Sequence, residues 1–278
     1  MKAAIDFGIS NTDIAILNNG DLSFYSLPST RKKLNCSSIK EIFSYLNISI
    51  EDINLIGVTG GKSSDLNDLM DEIKIIKINE IDAIALGAKK LYGISDESAL
   101  VVSAGTGTAC VHIQGNDFSH LGGIAVGGGM LENLGSLLFK NSNGLEINEF
   151  AAKGSRAELD LLIGDVVNKI GNLSPEITAV NFGQAKNSSA DTMENTAAAL
   201  CNMVGEIIGT VAYLNALLVG SNKAYFLGRT SYLSKIIDGI NQRLELAGIE
   251  GQYNPNREYG NVIGVLESMQ NHNRSTNT

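Results

Sequence analysis

Short apolar runs open the chain. Ala3-Ala4-Ile5 leads into Asp6-Phe7-Gly8-Ile9-Ser10, then Thr12 to Leu17, a turn at Asn18-Asn19-Gly20-Asp21, and Leu22 to Tyr25. Runs of this length bounded by Gly, Asn and Asp predict strand, tight turn, strand, turn, strand. The same order returns at Leu100 to Gly107, Ala109 to Ile113, Gly115-Asn116-Asp117 and Phe118-Ser119. Gly105 stands 105 − 8 = 97 residues after Gly8, and the turn glycines Gly20 and Gly115 are 115 − 20 = 95 apart. Each half then reaches a strand ending in glycine, Asn54 to Val58 before Thr59-Gly60-Gly61 and Lys223 to Leu227 before Gly228. Helical spacing follows at Asn79 to Leu91, Gly129 to Phe139, Thr192 to Leu218, Tyr232 to Ala247 and Tyr259 to Met269. Hairpins followed by strand–helix alternation predict an α/β fold of mixed sheets covered by helices, and the repeat predicts two such domains in tandem, facing one cleft. The boundary is expected near Gly93 to Ser98, which gives domains at residues 1–95 and 96–270. Gln270 to Thr278 is polar and aperiodic, so 271–278 is expected as a disordered tail.

Charge narrows the function classes. In 278 residues, 21 Lys+Arg stand against 30 Asp+Glu, a net charge of −9. A nucleic-acid binder needs a basic face, and the longest basic run is Arg31-Lys32-Lys33. With 44% hydrophobic and 18% charged residues, general disorder is excluded. Cys36, Cys110 and Cys201 are odd in number and form no C-x-x-C pair, so neither a disulfide framework nor a thiolate zinc site is expected. Apolar patterning from Lys2 leaves no space for a leader, and a reducing cytoplasm is the expected compartment. The longest apolar stretch, Ala197 to Gly220, contains Asn202, Glu206 and Asn215, which are costly at bilayer depth; it reads as a buried helix, with no membrane partner expected.

Several familiar motifs fail. Gly57-Val58-Thr59-Gly60-Gly61-Lys62-Ser63 has three residues, not four, before its Gly-Lys pair, so it is no mononucleotide P-loop. Gly105-Thr106-Gly107 is followed by Cys110 where a dinucleotide fingerprint needs its third glycine. With only His112, His120 and His272 there is no H-E-x-x-H, and no G-x-S-x-G is present.

What remains is a pair of glycine turns, Asp6 to Asn11 and Ala104 to Thr108, each after a strand. Glycine admits close approach of backbone to ligand, and successive amides with Ser/Thr hydroxyls converge on phosphate oxygens, although the same residues also simply make hairpin turns. Asp6 either holds magnesium beside its turn or caps it as an Asx-turn. Gly127-Gly128-Gly129 opens a helical run, where free N–H groups suit an anion; a plain linker is the alternative. Glu80, after the N-cap Asn79, is either a general base for a substrate hydroxyl or a surface carboxylate complementing the helix dipole, and Asp82 competes for both roles. His120 precedes Leu121-Gly122-Gly123 and either faces the same ligand or is structural. The strand Lys223 to Leu227 ends in Gly228-Arg229-Thr230, at the kind of edge where α/β sheets bind ligands.

The ordered set Ile5-Asp6-Phe7-Gly8, Glu80-Ile81-Asp82-Ala83, Gly105-Thr106-Gly107-Thr108, Leu121-Gly122-Gly123, Gly127-Gly128-Gly129-Met130, Ile177 to Gly183, Leu227-Gly228 and Asn261-Val262-Ile263-Gly264 resembles the actin, heat-shock chaperone and sugar-kinase superfamily. Within it the chain resembles the type II pantothenate kinases. The resemblance implies two ribonuclease-H-like domains with a nucleotide cleft between them, ATP and Mg2+ as cofactors, a homodimer, and phosphorylation of pantothenate to 4'-phosphopantothenate in coenzyme A biosynthesis. It implies that Asp6 organises the metal, that Glu80 is the catalytic base, and that Gly8, Ile9, Ser10, Asn11, Thr12 and Asp13 with Gly105, Thr106 and Gly107 surround the phosphates. Gly128, Gly129, Met130, Leu131, Glu132, Gly144, Gly228 and Arg229 fall at the nucleotide, and Thr108 and His120 at the acceptor. Four positions depart from the family pattern: Ile9-Ser10 replaces Gly-Thr, Asp13 replaces a lysine, and His120 replaces an arginine that grips the substrate carboxylate. A kinase for another small alcohol or sugar, or a nucleotide-binding regulator without turnover, are the alternatives these departures leave open.

Overall fold

A computed structural model of the chain describes residues 1–30, 33–61, 63–95, 98–167, 174–186 and 189–275. Arg31 and Lys32 of the basic run, Lys62 of the rejected nucleotide motif, residues 96 and 97 at the expected boundary, and 276–278 of the expected tail lie outside the described residues. In chain order the elements are β1 Lys2–Phe7, β2 Asn11–Asn18, β3 Asp21–Pro28, α1 Cys36–Tyr45, β4 Leu55–Thr59, β5 Leu69–Met70, β6 Ile73–Lys77 and α2 Glu80–Tyr92. There follow β7 Ser98–Ala104, β8 Thr108–Gln114, β9 Asp117–Ile124, α3 Gly128–Phe139, α4 Gly144–Ala151, β10 Leu161–Leu162, α5 Ile163–Val166 and β11 Thr178–Val180. The last are α6 Met193–Val219, β12 Lys223–Leu227, α7 Ser234–Glu245, β13 Glu250–Tyr253 and α8 Gly260–Ser275. Helix α8 therefore runs through part of the segment expected as a tail, as far as Ser275.

The chain divides into two compact units, one of Met1–Val101, Val111–His120 and Tyr253–Thr278, the other of Val102–Cys110 and Leu121–Gln252. The first holds a six-stranded sheet in the order β3-β2-β1-β4-β6-β5. Strand β1 pairs antiparallel with β2 and parallel with β4, which pairs parallel with β6. Alternation along β1 sorts its side chains to two faces. Ile5, Phe7, Ile14, Ile16, Ile56 and Val58 join Ile39 and Phe43 of α1 in one buried cluster. Ala4 and Ala15 join Ala83 of α2 and Val262, Val265 and Met269 of α8 in the other. Small residues on this second face let the helix come close: a Cβ at Gly57 would stand 2.5 Å from Val265 Cγ1.

Helix α2 begins where Asn79 Oδ1 accepts the Ile81 N–H at 2.8 Å and ends at Gly93, whose φ of 64° is left-handed. It meets α8 backbone to backbone: a Cβ on Gly87 would overlap the Gly260 carbonyl, and one on Gly264 the Ala83 carbonyl. Because the obstacle is backbone, neither helix can yield by a rotamer change. Gly264→Ala is expected to cost about 1–3 kcal/mol through forced separation of the helices, read as a lower urea midpoint with unchanged slope.

The second sheet has the order β13-β12-β7-β8-β9. Read from β9, this is hairpin, hairpin, central strand, then two later strands, the order of β3-β2-β1-β4-β6 again. The 97-residue sequence repeat is thus a repeat of topology. Helix α6 is capped by Thr192 Oγ1 on the Asn195 N–H at 3.2 Å and ends at left-handed Gly220. It is long and apolar enough to cross a membrane, but 67% of its most apolar stretch is buried in the protein. Its polar interruptions are used internally: Asn202 Nδ2 donates to Asp160 Oδ2 at 3.1 Å, and Glu206 Oε2 accepts from Asn181 Nδ2 at 2.9 Å. Cys36, Cys110 and Cys201 are all free thiols.

Candidate functional site

In the first unit, parallel pairing brings the carboxyl ends of β1, β4 and β6 to one edge of the sheet. There Asp6-Phe7-Gly8, Thr59-Gly60-Gly61 and Asn79-Glu80 leave their strands. Asp6 is 9% exposed, and its Oδ2 accepts from Asn261 Nδ2 of α8 at 2.8 Å. Its other oxygen lies against Gly60, where any Cβ would overlap Oδ1; the residue must be glycine there both for space and for its φ of +74°. Across the β1–β2 pair, Asp6 faces Asp13, itself 7% exposed. Across the β1–β4 pair it faces Thr59, which is fully buried.

The β1–β2 turn is held from behind by Ser29. Its hydroxyl donates to Gly8 O at 2.6 Å and bonds Thr12 Oγ1 at 3.2 Å, and its N–H donates to Ser10 O at 3.0 Å. A Cβ on Gly8 would stand 2.6 Å from Asn11 O, so this tight bend requires glycine. Ser10 is exposed at the tip, and Ile9 is 82% exposed, unusual for a large apolar side chain. Asn11 begins β2, opposite Pro28. Glu80 is exposed in the first turn of α2, and His120, on β9, is exposed as well.

An oxygen-lined row at this edge suits a hard divalent cation such as magnesium, which uses one or two carboxylates and keeps several waters. The fully buried Thr59 hydroxyl, which has no hydrogen-bond partner among the described residues, supports that fit as a group able to bond one of those waters. Among the described residues no three or more His, Cys, Asp and Glu side chains come together as they would to cage a metal ion.

In the second unit, the turn after β7 and the glycines before α3 are locked together. Gly105 N donates to Gly107 O at 2.9 Å, Gly128 N to Gly105 O at 2.9 Å and Gly129 N to Thr106 O at 3.0 Å. Gly127 nestles against three turn carbonyls: a Cβ would stand 2.6, 2.8 and 3.0 Å from the oxygens of Gly105, Thr106 and Gly107. The free amides expected at the start of α3 are therefore not free at Gly128 and Gly129, because the lack of side chains lets the turn reach them first. Thr230, just past β12, completes the brace, donating from Oγ1 to Gly105 O at 2.7 Å while accepting from Gly128 N at 2.9 Å. Gly228, with φ +86°, abuts the Ala104 carbonyl, so the carboxyl ends of β7 and β12 lie side by side. Replacing Thr230 with Val removes both of its bonds but leaves Gly128 N and Gly105 O paired with each other, so a loss of about 0.5–1.5 kcal/mol is expected; a urea titration of Thr230→Val should show it.

Glu132, in the first turns of α3, accepts the Gly144 N–H at the start of α4, and burial pushes its carboxyl above the usual range against that bond. Leu131 is fully buried, and the Thr108 hydroxyl donates to Val126 O at 2.8 Å. Met130 and Arg229 are half-buried. The structure thus groups Asp6 with the turn Gly8 to Asp13 in one unit, and Gly105 to Gly107 with Gly128, Gly129 and Gly228 in the other. Ser29, Asn261 and Thr230, which position these groups, were not anticipated in those roles. A serine after a proline at the end of β3, or a threonine after a Gly-Arg step, is no signal by itself.

The Fumble family model matches residues 97–236. The chain belongs to the Fumble family. This Fumble-family chain is 28% identical over 273 residues to a type II pantothenate kinase of Staphylococcus epidermidis, covering 96% of the chain and 99% of that protein. It is 31% identical over 192 residues to a type II pantothenate kinase of Bacillus cereus, covering 64% of the chain and 67% of that protein. Among solved structures, the activator of the 2-hydroxyisocaproyl-CoA dehydratase from Clostridium difficile with bound ADPNP superposes with a TM-score of 0.66 at 15% identity, covering 99% and 97% of the two chains. A ROK family glucokinase from Streptomyces griseus in complex with glucose and AMPPNP gives 0.60 at 11% identity, covering 96% and 98%. At these identities the likeness is one of fold, and it agrees with the α/β architecture of duplicated, ribonuclease-H-like sheets that the strand orders give.

Proposed function

We propose that this Fumble-family chain is an ATP-dependent kinase that phosphorylates the hydroxyl of pantothenate, a reaction of coenzyme A synthesis. The observation behind the reading is the duplicated glycine turn at the carboxyl end of each sheet's central strand, in a chain whose relatives along nearly its whole length are type II pantothenate kinases. Phosphoryl transfer demands positioning and charge neutralisation more than covalent chemistry. The turns Gly8 to Asn11 and Gly105 to Gly107 orient phosphate oxygens, Asp6 holds the magnesium, and Glu80 takes the proton from the acceptor hydroxyl. Bound magnesium supplies charge neutralisation on the phosphates and asks only for oxygen ligands. Gly228, Arg229, Glu132 and Gly144 flank the nucleoside, and the chain works as a homodimer in the cytoplasm.

The test is direct. Purified protein with ATP, Mg2+ and pantothenate should release ADP and yield a phosphorylated product by mass spectrometry; the absence of product would remove the assignment. A second reading keeps the kinase and changes the acceptor, because an exposed imidazole at His120 lacks the fixed two-pronged grip of a guanidinium on a carboxylate. A panel of small alcohols and sugars decides between them: faster turnover of an uncharged acceptor than of pantothenate favours the second.

A further inference from the structure

An open cavity of about 260 Å³ lies within the second unit, a little under the ~300 Å³ at which pockets for drug-sized molecules begin. Helix α6 supplies Ala198 and Asn202, one turn apart. Helix α7 supplies Lys235, Asp238 and Gln242, and Arg156 enters from the segment before β10. Asn202 is 5% exposed and its orientation is fixed: Nδ2 donates to Asp160 Oδ2 at 3.1 Å and to Thr178 Oγ1 at 3.2 Å. Its Oδ1 accepts no hydrogen bond among the described residues and is not one of the atoms sealed from solvent, so it opens on the cavity that Asn202 lines. Arg156 spends Nη1 on Thr178 Oγ1 and Nη2 on the Glu176 carbonyl, with Asp160 Oδ2 3.6 Å from Nη1, and keeps its Nε–H. Lys235 gives one of its three N–H groups to Asp238 Oδ2 at 2.9 Å. The lining thus carries two cations against one carboxylate, together with an unmet acceptor.

We propose that this cavity binds a small hydroxylated anion, its carboxylate or phosphate group held by Lys235 and Arg156 and its hydroxyl donating to Asn202 Oδ1. An anion without a hydroxyl leaves the Asn202 oxygen without a donor, and a neutral polyol leaves the surplus positive charge unmatched. A molecule that carries both groups answers both demands. None of the residues given to phosphoryl transfer above lines this cavity, so the site is separate from the proposed reaction and stands or falls without it.

The experiment titrates D-glycerate and glycerol 3-phosphate separately into the full-length protein, with saturation-transfer NMR to detect binding and calorimetry to measure it. At least one of the two should bind, and which one does so identifies the acid group. Propionate and methyl phosphate, which lack the free hydroxyl, and glycerol, which lacks the acid, should each bind about tenfold more weakly or worse. K235M should weaken binding about threefold or more, and K235E should abolish it. Neither change touches the Lys235 N–H that donates to Asn148 Oδ1 at 2.9 Å, and circular dichroism checks that both variants are folded. Binding of neither probe, equal binding of the matching acid without its hydroxyl, or affinity unchanged in folded K235M and K235E overturns the proposal, the last by placing the anion elsewhere on the protein.

Discussion

Glu80→Gln is expected to lower turnover with ATP and pantothenate by about 10²–10⁴-fold, the range for loss of a positioned general base. The substitution keeps the size and hydrogen-bonding shape of the side chain and removes only its capacity to accept a proton. Glu80 is exposed at the start of α2, and the helix is held by Asn79 as cap and by the α8 contacts of Gly87, so folding should not change. ATP affinity should stay within about twofold, because the effect falls on the chemical step and not on ground-state binding. Single-turnover kinetics with a parallel nucleotide-binding titration separate the two. A variant that turns over like the wild type would leave Glu80 as a surface carboxylate complementing the helix dipole.

The second large effect concerns stability. Asp160 is fully buried in the second unit. Its Oδ1 accepts the Phe182 N–H at 2.8 Å, its Oδ2 accepts from Asn202 Nδ2 at 3.1 Å, and Arg156 Nη1 stands 3.6 Å away. Arg156 also donates to Thr178 Oγ1 at 2.8 Å, so one carboxylate organises the junction of the β10–β11 ribbon with α6. Asp160→Ala leaves the Phe182 N–H without its acceptor, while Asn202 Nδ2 and Arg156 Nη1 keep Thr178 Oγ1, and a loss of about 1–3 kcal/mol is expected by chemical denaturation. A loss below about 1 kcal/mol, the scale of an exposed pair, would show that solvent replaces the carboxylate there.

The pH dependence of this centre has a definite sign. Burial, with repulsion from Glu206 added, raises the Asp160 carboxyl above the usual range, against the lowering effects of the Phe182 N–H, Arg156 and Asn202. A raised acid holds its proton longer in the folded state than in the unfolded one. Its contribution is therefore complete below the ordinary carboxylate range and declines as pH rises through the elevated folded value. The stability margin of the wild type over Asp160→Ala should shrink across that window. A margin that grows instead would mean that pairing with Arg156 dominates burial.

Much of the fold was legible because it rests on local rules. Strand β12 falls where the apolar run Lys223 to Leu227 ends in glycine, and α2 and α6 start at Asn79 and Thr192, their capping residues. Other elements depend on distant partners. Helix α1 buries only Ile39 and Phe43 on the sheet, too few apolar positions to stand out among its serines. Strands β5 and β6 form where Leu69–Met70 folds back on Ile73–Lys77, and the two lysines of β6 blur its alternation. Strand β9 extends to Ile124 through Gly122-Gly123, which read as loop residues in sequence. At the candidate site, the glycine turns were visible as composition. Their fastening by Ser29 and Thr230 was not, since those bonds join residues 21 and 125 positions apart.

The repeated sheet order has a consequence for how far the two halves have specialised. Adding the 97-residue offset to Asp6 and Asp13 gives 103 and 110, which are Ser103 and Cys110. Cys110 is wholly buried, and burial pushes its thiol up to about 11, so the later copy has an inert apolar filler where the earlier one has a charge. One copy of the repeated sheet is thus acidic at this edge and the other is glycine-braced. A symmetric protein made by joining either copy to itself would reproduce the topology, yet it would have two acid rows and no brace, or two braces and no acid.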